Sequence, residues 1–184
     1  MDFNLITNIE TCFSYVQSNP TTLLYAHIPT AAVSLLIGFF VFFKNRNLNS
    51  VILFIISVLF SIWSFLDLII WYSYSGLAIT LSWAVLGIIS ALLFVFSLYF
   101  VSVFIEKKDI SLYRKLILGL LILPTIILSP SRLNISNFNI AGCEAVENDF
   151  IVRYNFGIEI LISVWIILYA ILGYRKAEKE FRKQ

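Results

Sequence analysis

The chain is poor in charge and in the side chains that most catalytic and metal sites use. Charged residues make up 13% of its 184 residues and hydrophobic residues 60%, whereas soluble domains carry about 25% charge. The single histidine and the two cysteines form no cluster with metal-ligand spacing. No phosphate-binding loop, HExxH, GxSxG or kinase signature is present. These absences exclude an ordinary soluble enzyme, and the sequence predicts no catalytic residue, cofactor or metal.

Two further absences narrow the class of protein. The net charge is only +2 and no segment concentrates basic residues with aromatics in the manner of a nucleic-acid site, so no nucleic-acid partner is expected. Asp2 and Glu10 stand where a secretory signal peptide carries basic residues, and no apolar core follows them. Residues 1–20 instead carry an apolar stripe at helical spacing, which predicts a short amphipathic helix lying in the outer membrane interface.

Five apolar segments predict helices that cross a bilayer, for which about 20 residues are needed. They comprise residues 21–43, 51–72, 77–105, 113–128 and 151–174. The fourth is the shortest and contains Pro124, but Arg114 and Lys115 at its start lengthen it by reaching toward the headgroups. Residues 175–184 predict a basic helix that leaves the membrane. The expected fold is an all-α membrane protein, a polytopic bundle of five transmembrane helices preceded by the interfacial helix.

Lysine and arginine are concentrated in alternate connecting segments. Counted together with the first residues of the span that follows, the segments after the first, third and fifth spans carry two, four and five of them, whereas the other connections carry only Arg132 and Arg153. Because basic loops stay on the cytoplasmic side, the N-terminus is expected outside and the C-terminus in the cytoplasm, with the chain in the inner (cytoplasmic) membrane. Residues 129–150 then form the main extracytoplasmic loop.

The two cysteines, Cys12 and Cys143, both fall outside on this topology, in an oxidising compartment. A disulfide between them would attach the N-terminal helix to the long outer loop. Two unpaired thiols are the other reading, because sequence does not show the distance between them.

Three ionisable side chains, His27, Asp67 and Glu159, fall inside the predicted spans. Because charge is costly in a bilayer, such residues face the bundle interior or a cavity. Counted from the outer ends of their spans, they lie at similar depths in the outer leaflet. Small and polar residues repeat on the same helix faces, which indicates that these faces point inward. The sequence therefore predicts an outward-facing ligand pocket, with candidate residues His27, Asp67, Trp71, Asn155 and Glu159.

A purely structural interpretation of the same residues stays open. Serine and threonine stripes commonly serve helix packing. Asp67 could simply pair with His27, and Trp71 could belong to the belt of aromatics at the membrane interface.

Several segments carry a family pattern: the basic turn FFKNRNLNS, the span end IWSFLDLIIW with Trp63 and Ser64, the third span SWAVLGIISALLFVFSLYF, the loop GCEAVEN and the exit GYRKAEKEFRKQ. Together they resemble the N-terminal seven-transmembrane region of bacterial sensor histidine kinases, and nearly the whole chain is covered. The resemblance implies two more spans and a cytoplasmic signalling module after the fifth span. Since the sequence stops at Gln184, it is expected to be part of a longer protein or a shortened relative.

The expected function is that of a membrane-embedded sensor domain of a bacterial signal-transduction protein, associated with a histidine kinase. It would detect an extracytoplasmic or membrane-borne stimulus. Its expected partners are the lipid bilayer and a small-molecule or membrane-borne ligand, and a homodimer is left open. The alternative is a small transporter or channel protomer that uses Asp67 and Glu159 as a proton or cation site. An intramembrane enzyme is a third class, for which no known catalytic spacing is present.

Overall fold

A computed structural model describes residues 21–139, 142 and 144–181 of the chain. The predicted interfacial helix over residues 1–20 lies outside the described residues. So do Cys12 and Cys143, and with them the predicted disulfide.

Five long helices dominate the described part of the chain, in agreement with the predicted all-α class. They are α1 (Thr21–Lys44), α2 (Leu48–Tyr72), α3 (Gly76–Glu106), α4 (Leu112–Leu128) and α5 (Asp149–Phe181). Helices α1, α2, α3 and α5 are each long and apolar enough to cross a membrane, so the chain is a multi-pass membrane protein. Helix α4 has only 17 residues.

The turns between the first three helices are short because side chains cap the helix starts. The Asn47 side chain accepts a hydrogen bond from the Ser50 backbone N–H (2.9 Å). The Ser75 hydroxyl accepts one from the Ala78 N–H (3.4 Å). Each cap satisfies a backbone donor that the first turn of a helix leaves free, so α1, α2 and α3 follow one another as an antiparallel series.

A small β-hairpin interrupts the segment between α4 and α5, where the sequence predicted only a loop. Strand β1 (Ile135–Asn139) pairs antiparallel with β2 (Glu144–Glu147). Asparagine, glutamate and alanine occupy five of the nine strand positions and have low strand propensity, which explains why the strands escaped prediction. The inward residue Ala145 is buried, and both strands lie against α3.

Helix α3 is the centre of the bundle. It packs against α2 on one side and against α5 on the other, and α4 lies against α3 and α5. Helix α1 packs on α2. Most members of the buried apolar cluster come from α3 and its neighbours: Ile52, Leu98, Val103, Ile110, Leu118, Ile158 and Ile162.

Two glycine contacts set the register of α3 and α5. A Cβ on Gly87 would lie 3.7 Å from Asn155 Nδ2, and a Cβ on Gly173 would lie 2.9 Å from Ile105 Cγ2. Both contacts pair residues that differ by 68 in sequence number, so the helices run parallel and in step. On this register α5 begins beside the second turn of α3, and the hairpin lies beside the first.

Helix α4 runs back between these two parallel helices. At its start, Arg114 Nη1 donates to Glu106 Oε1 at the end of α3 (2.6 Å). At its end, Thr125 Oγ1 donates to Asn155 Oδ1 near the start of α5 (2.6 Å). Just beyond it, Ser129 Oγ donates to the carbonyl of Ala84 (2.6 Å). Helix α4 therefore covers the depth from the end of α3 to its third turn.

Replacing Gly38 by alanine should destabilise the packing of α1 on α2. The added Cβ would lie 2.7 Å from both Cβ and Oγ of Ser57, and such overpacking costs about 1–3 kcal/mol. Gly119→Ala and Gly157→Ala are matched controls, because a Cβ at either position meets nothing within 4 Å. Unfolding in mixed micelles measures all three; equal stability of Gly38→Ala and the controls would contradict the close approach.

Candidate functional site

His27 and Asp67 form an ion pair near the loop that joins α2 to α3. His27 Nε2 lies 2.9 Å from Asp67 Oδ2, and the side chains are only 16% and 20% exposed. The imidazole also stacks on Trp63, with 6.3 Å between ring centroids. The structure thus brings two of the predicted site residues together, between antiparallel helices α1 and α2.

The serine stripe of α2 positions this pair by letting α1 approach closely. Ser57, Ser61 and Ser64 are buried, and each hydroxyl donates to a carbonyl one turn earlier in its own helix. Ser61 Oγ also lies 3.1 Å from the carbonyl oxygen of Ala31 in α1. These hydroxyls have backbone partners, which favours a packing role for the stripe.

Trp71 lies one turn beyond Asp67, close to the end of α2. Its side chain is 51% exposed. Its place at the helix end and its exposure fit an aromatic at the membrane interface. The same position and exposure leave the Trp71 side chain accessible next to the His27–Asp67 pair.

Asn155 belongs to a different cluster, on the other side of α3. Its Oδ1 accepts from Thr125, and its amide nitrogen lies beside Gly87. On the same helix, Tyr154 OH donates to the carbonyl of Leu121 (2.8 Å). Asn155 thus joins α3, α4 and α5, whereas His27 and Asp67 join α1 and α2.

Glu159 lies near the middle of the bundle. It follows Asn155 by one turn, so the register of α3 and α5 places it level with Ala91, the central residue of α3. The side chain is half-buried. Within the described residues, its carboxylate makes no hydrogen bond or ion pair.

The expectation that His27, Asp67 and Glu159 share one depth therefore differs from the structure. Asp67 lies five residues from the end of α2, and Glu159 is level with a position fifteen residues into α3. At 1.5 Å per residue the difference is about 15 Å. Counting from the ends of apolar runs assumes that all helices start level, but α5 starts deeper because the hairpin lies beside the first turn of α3.

Two polar clusters at the other end of the bundle were not predicted as sites. Arg114 donates to Tyr169 OH (2.9 Å) as well as to Glu106, and Tyr169 OH lies 3.1 Å from Glu106. Beside them, Lys115 Nζ and Tyr99 OH donate to the two oxygens of Asp109 (2.6 and 2.7 Å). These hydrogen bonds, that of Lys115 first, hold the pKa of Asp109 below its usual value. The alternating charges of the EKKDISLYRK segment were the available signal.

Three polar groups near the hairpin were also missed. The indole nitrogen of Trp83 and the hydroxyl of Thr80 are buried and have no hydrogen-bond partner within the described residues. Glu147 is half-buried, and burial raises its carboxyl pKa above the usual value. Sequence spacing could have shown that Thr80 and Trp83 share a helix face, but not that a hairpin lies against the same helix.

Comparison with protein-family models, curated proteins and solved structures finds no match for the chain. The described residues include no group of three or more histidine, cysteine or acidic side chains placed to hold a metal ion.

A double-mutant cycle on His27→Gln and Asp67→Asn should give a coupling energy of about 0.5–3 kcal/mol, because the pair is in direct contact. The Asp149–Arg153 pair is a suitable control. It is 3.7 Å apart and its side chains are 91% and 83% exposed, so its coupling should be about 0.5 kcal/mol or less. Unfolding free energies in micelles provide both values. Additive effects at His27 and Asp67 would show that the contact contributes nothing.

Proposed function

We propose that this chain is the membrane-embedded sensor domain of a bacterial signal-transduction protein, of the type associated with histidine kinases. The observation that carries the proposal is the uninterrupted helix α5. It begins at the hairpin and continues to Phe181 through a segment rich in lysine and arginine. A single rigid helix that joins the outer hairpin to a charged exit can transmit a change from one side of the membrane to the other.

The proposal requires five crossings, with α4 as the fourth. Helix α4 lies against both α3 and α5, and its ends bond to residues at opposite ends of these helices. A helix of 17 residues rises about 25 Å, slightly less than the hydrocarbon core of about 30 Å. Arg114 and Lys115 bond at the Glu106 end, where headgroups would meet them.

The charge distribution supports the orientation. With five crossings, the clusters of Glu106 and Asp109 lie on the same side as the basic exit of α5, and the hairpin lies on the opposite side. The positive-inside rule then places the hairpin outside and the exit helix in the cytoplasm, in the inner membrane.

The contacts of α5 suggest how a stimulus is transmitted. Near the hairpin it is held by Thr125 and Leu121 of α4, and near the exit by Glu106 and Arg114. A ligand or membrane stimulus that favours one packing at the outer contacts shifts the population of packings at the inner ones. The lipid bilayer, a small-molecule or membrane-borne ligand and a second copy of the chain are the proposed partners.

Cysteine accessibility tests the five crossings. In a variant in which Cys12 and Cys143 are serine, Asn137→Cys in β1 should react with a membrane-impermeant maleimide in intact cells. Lys108→Cys, in the turn after α3, should react only after permeabilisation. Both positions are exposed, so reactivity reports the side of the membrane. Equal labelling of the two would mean that α4 does not cross, and with it the proposed topology would fail.

Distance measurements test the transmission itself. Spin labels on Lys108→Cys and Arg175→Cys, in nanodiscs, report the separation of the α3–α4 turn from the exit helix. If the domain is a sensor, Asp67→Asn should shift the population of distances, because it changes the outer packing of α2 on α1. Asp149→Asn breaks only an exposed pair and is the matched control. An Asp67→Asn distribution that overlays the wild type would count against the sensor.

One observation favours a transporter or channel protomer as a second candidate. Glu159 is half-buried near the middle of the bundle and has no partner within the described residues, and unpaired acids at such depth often lie on proton or ion paths. The described structure offers few other polar groups along α5 beyond Glu159. Proteoliposomes with an internal pH dye decide the matter: proton flux that Glu159→Gln abolishes would support transport, and no flux would favour the sensor.

A further inference from the structure

The hairpin covers a specific face of α3. Thr80, Trp83 and Gly87 follow one another at steps of three and four, so they lie on one side of the helix. Gly87 on that side touches Asn155 of α5. The register of α3 and α5 then places Thr80 level with Asn148, at the junction of β2 and α5. Both strands of the hairpin contact α3.

Strand β2 turns one of its faces toward this side of α3. Alternate residues of a strand share a face, so Glu147 points the same way as Ala145. Ala145 is buried, with 8% of its surface exposed, whereas Glu144 and Val146 on the other face are exposed. Glu147 therefore lies on the inward face of β2, the strand that contacts α3, at the level where the register places Thr80.

The base of the hairpin is held firmly over this surface. Ser129 Oγ donates to the carbonyl of Ala84 in α3, and Asn134 Nδ2 donates to the carbonyl of Ser129 (3.1 Å). The Asn148 N–H donates to the carbonyl of Asn134 (2.8 Å). These bonds connect both ends of the hairpin to the bundle, so the position of Glu147 is determined by the fold.

Three polar groups near this contact lack partners within the described part of the chain. Trp83 Nε1–H can only donate a hydrogen bond, Thr80 Oγ1 can donate or accept, and both are buried without a partner within the described residues. Glu147 is half-buried there with no hydrogen bond or ion pair within the same part of the chain. Buried polar groups are nearly always hydrogen-bonded in proteins. A ligand that bonds to these three groups would complete their hydrogen bonds.

We propose that the space between β2 and the start of α3 is a binding site for a primary ammonium group that carries an oxygen atom close by, as in ethanolamine. The ammonium N–H groups donate to Glu147 and neutralise its charge. The neighbouring oxygen accepts from Trp83 Nε1–H, and Thr80 completes the set. The inference goes beyond the sensor proposal and does not depend on it, because this site is separate from the His27–Asp67 pair.

The chemistry of the three groups selects this class of ligand. A quaternary ammonium has no N–H to donate to Glu147, and an anion would be repelled by it. A ligand without an acceptor would leave the Trp83 N–H buried and unpaired, which costs free energy. The same ammonium-and-oxygen group occurs in free ethanolamine and in the headgroup of phosphatidylethanolamine, so the test must separate the two sources.

Indole NMR of the chain in nanodiscs tests the site directly. With ¹⁵N-tryptophan, the four indole N–H signals are resolved, and Trp83→Phe identifies the signal of Trp83. In discs that contain only phosphatidylcholine, ethanolamine should shift the Trp83 signal saturably and choline should not. In discs that contain phosphatidylethanolamine, the signal should already be shifted if the lipid headgroup is the source.

Two variants of the same strand make the test specific. Glu147→Gln should weaken the response to ethanolamine about tenfold or more, as loss of a charged hydrogen-bond partner does. Glu144→Gln, on the outward face of β2, should leave it unchanged, and unaltered signals from the other tryptophans confirm the fold of each variant. The proposal would be overturned if neither ethanolamine nor phosphatidylethanolamine shifted the Trp83 indole signal. So would an equal response to choline or an undiminished response in Glu147→Gln.

Discussion

The parallel packing of α5 on α3 is the constraint on which the rest of the structure depends. The side chain of Asn155 packs close to Gly87, and that of Ile105 packs close to Gly173. The two helices therefore keep one register between these two contacts. Two parallel helices cannot be joined by a tight turn. The chain must therefore run back along α3 before α5 can begin. Helix α4 makes this return, and the hairpin covers the part of α3 that α5 does not reach.

Polar contacts are concentrated at the two ends of this arrangement. His27 and Asp67 meet near one end, and the clusters around Glu106 and Asp109 lie near the other. Between these ends, the hydroxyls of Ser57, Ser61 and Ser64 bond to the backbone of their own helix, and Ser61 also reaches the carbonyl of Ala31 in α1. Glu159 departs from this pattern. A half-buried carboxyl at that depth is costly in lipid, and it is the residue on which the sensor and transporter proposals differ most.

Hydropathy predicted the helices well and their relative depth poorly. Four of the five predicted spans correspond to helices long and apolar enough to cross a membrane, and the fourth, residues 113–128, corresponds to the 17-residue helix α4. The contact of His27 with Asp67 was one of the readings open from the sequence, since both are ionisable and lie near the outer ends of adjacent predicted spans. The depth of Glu159 does not follow, because it depends on where α5 starts beside α3. That start is set by the hairpin, whose short strands are rich in residues with low strand propensity.

The order of packing determines how the outer pair can influence the exit helix. Helices α1 and α2 reach the rest of the molecule mainly through α3, since α2 and α5 share no extensive contact among the described residues. Ser82 and Ile89 are buried on the face of α3 opposite Gly87. A small rotation of α3 about its axis therefore changes its contacts with α2 and α5 at once. Because Arg114 and Tyr169 both bond to Glu106 at its end, the same rotation also reaches the point where α5 leaves the bundle.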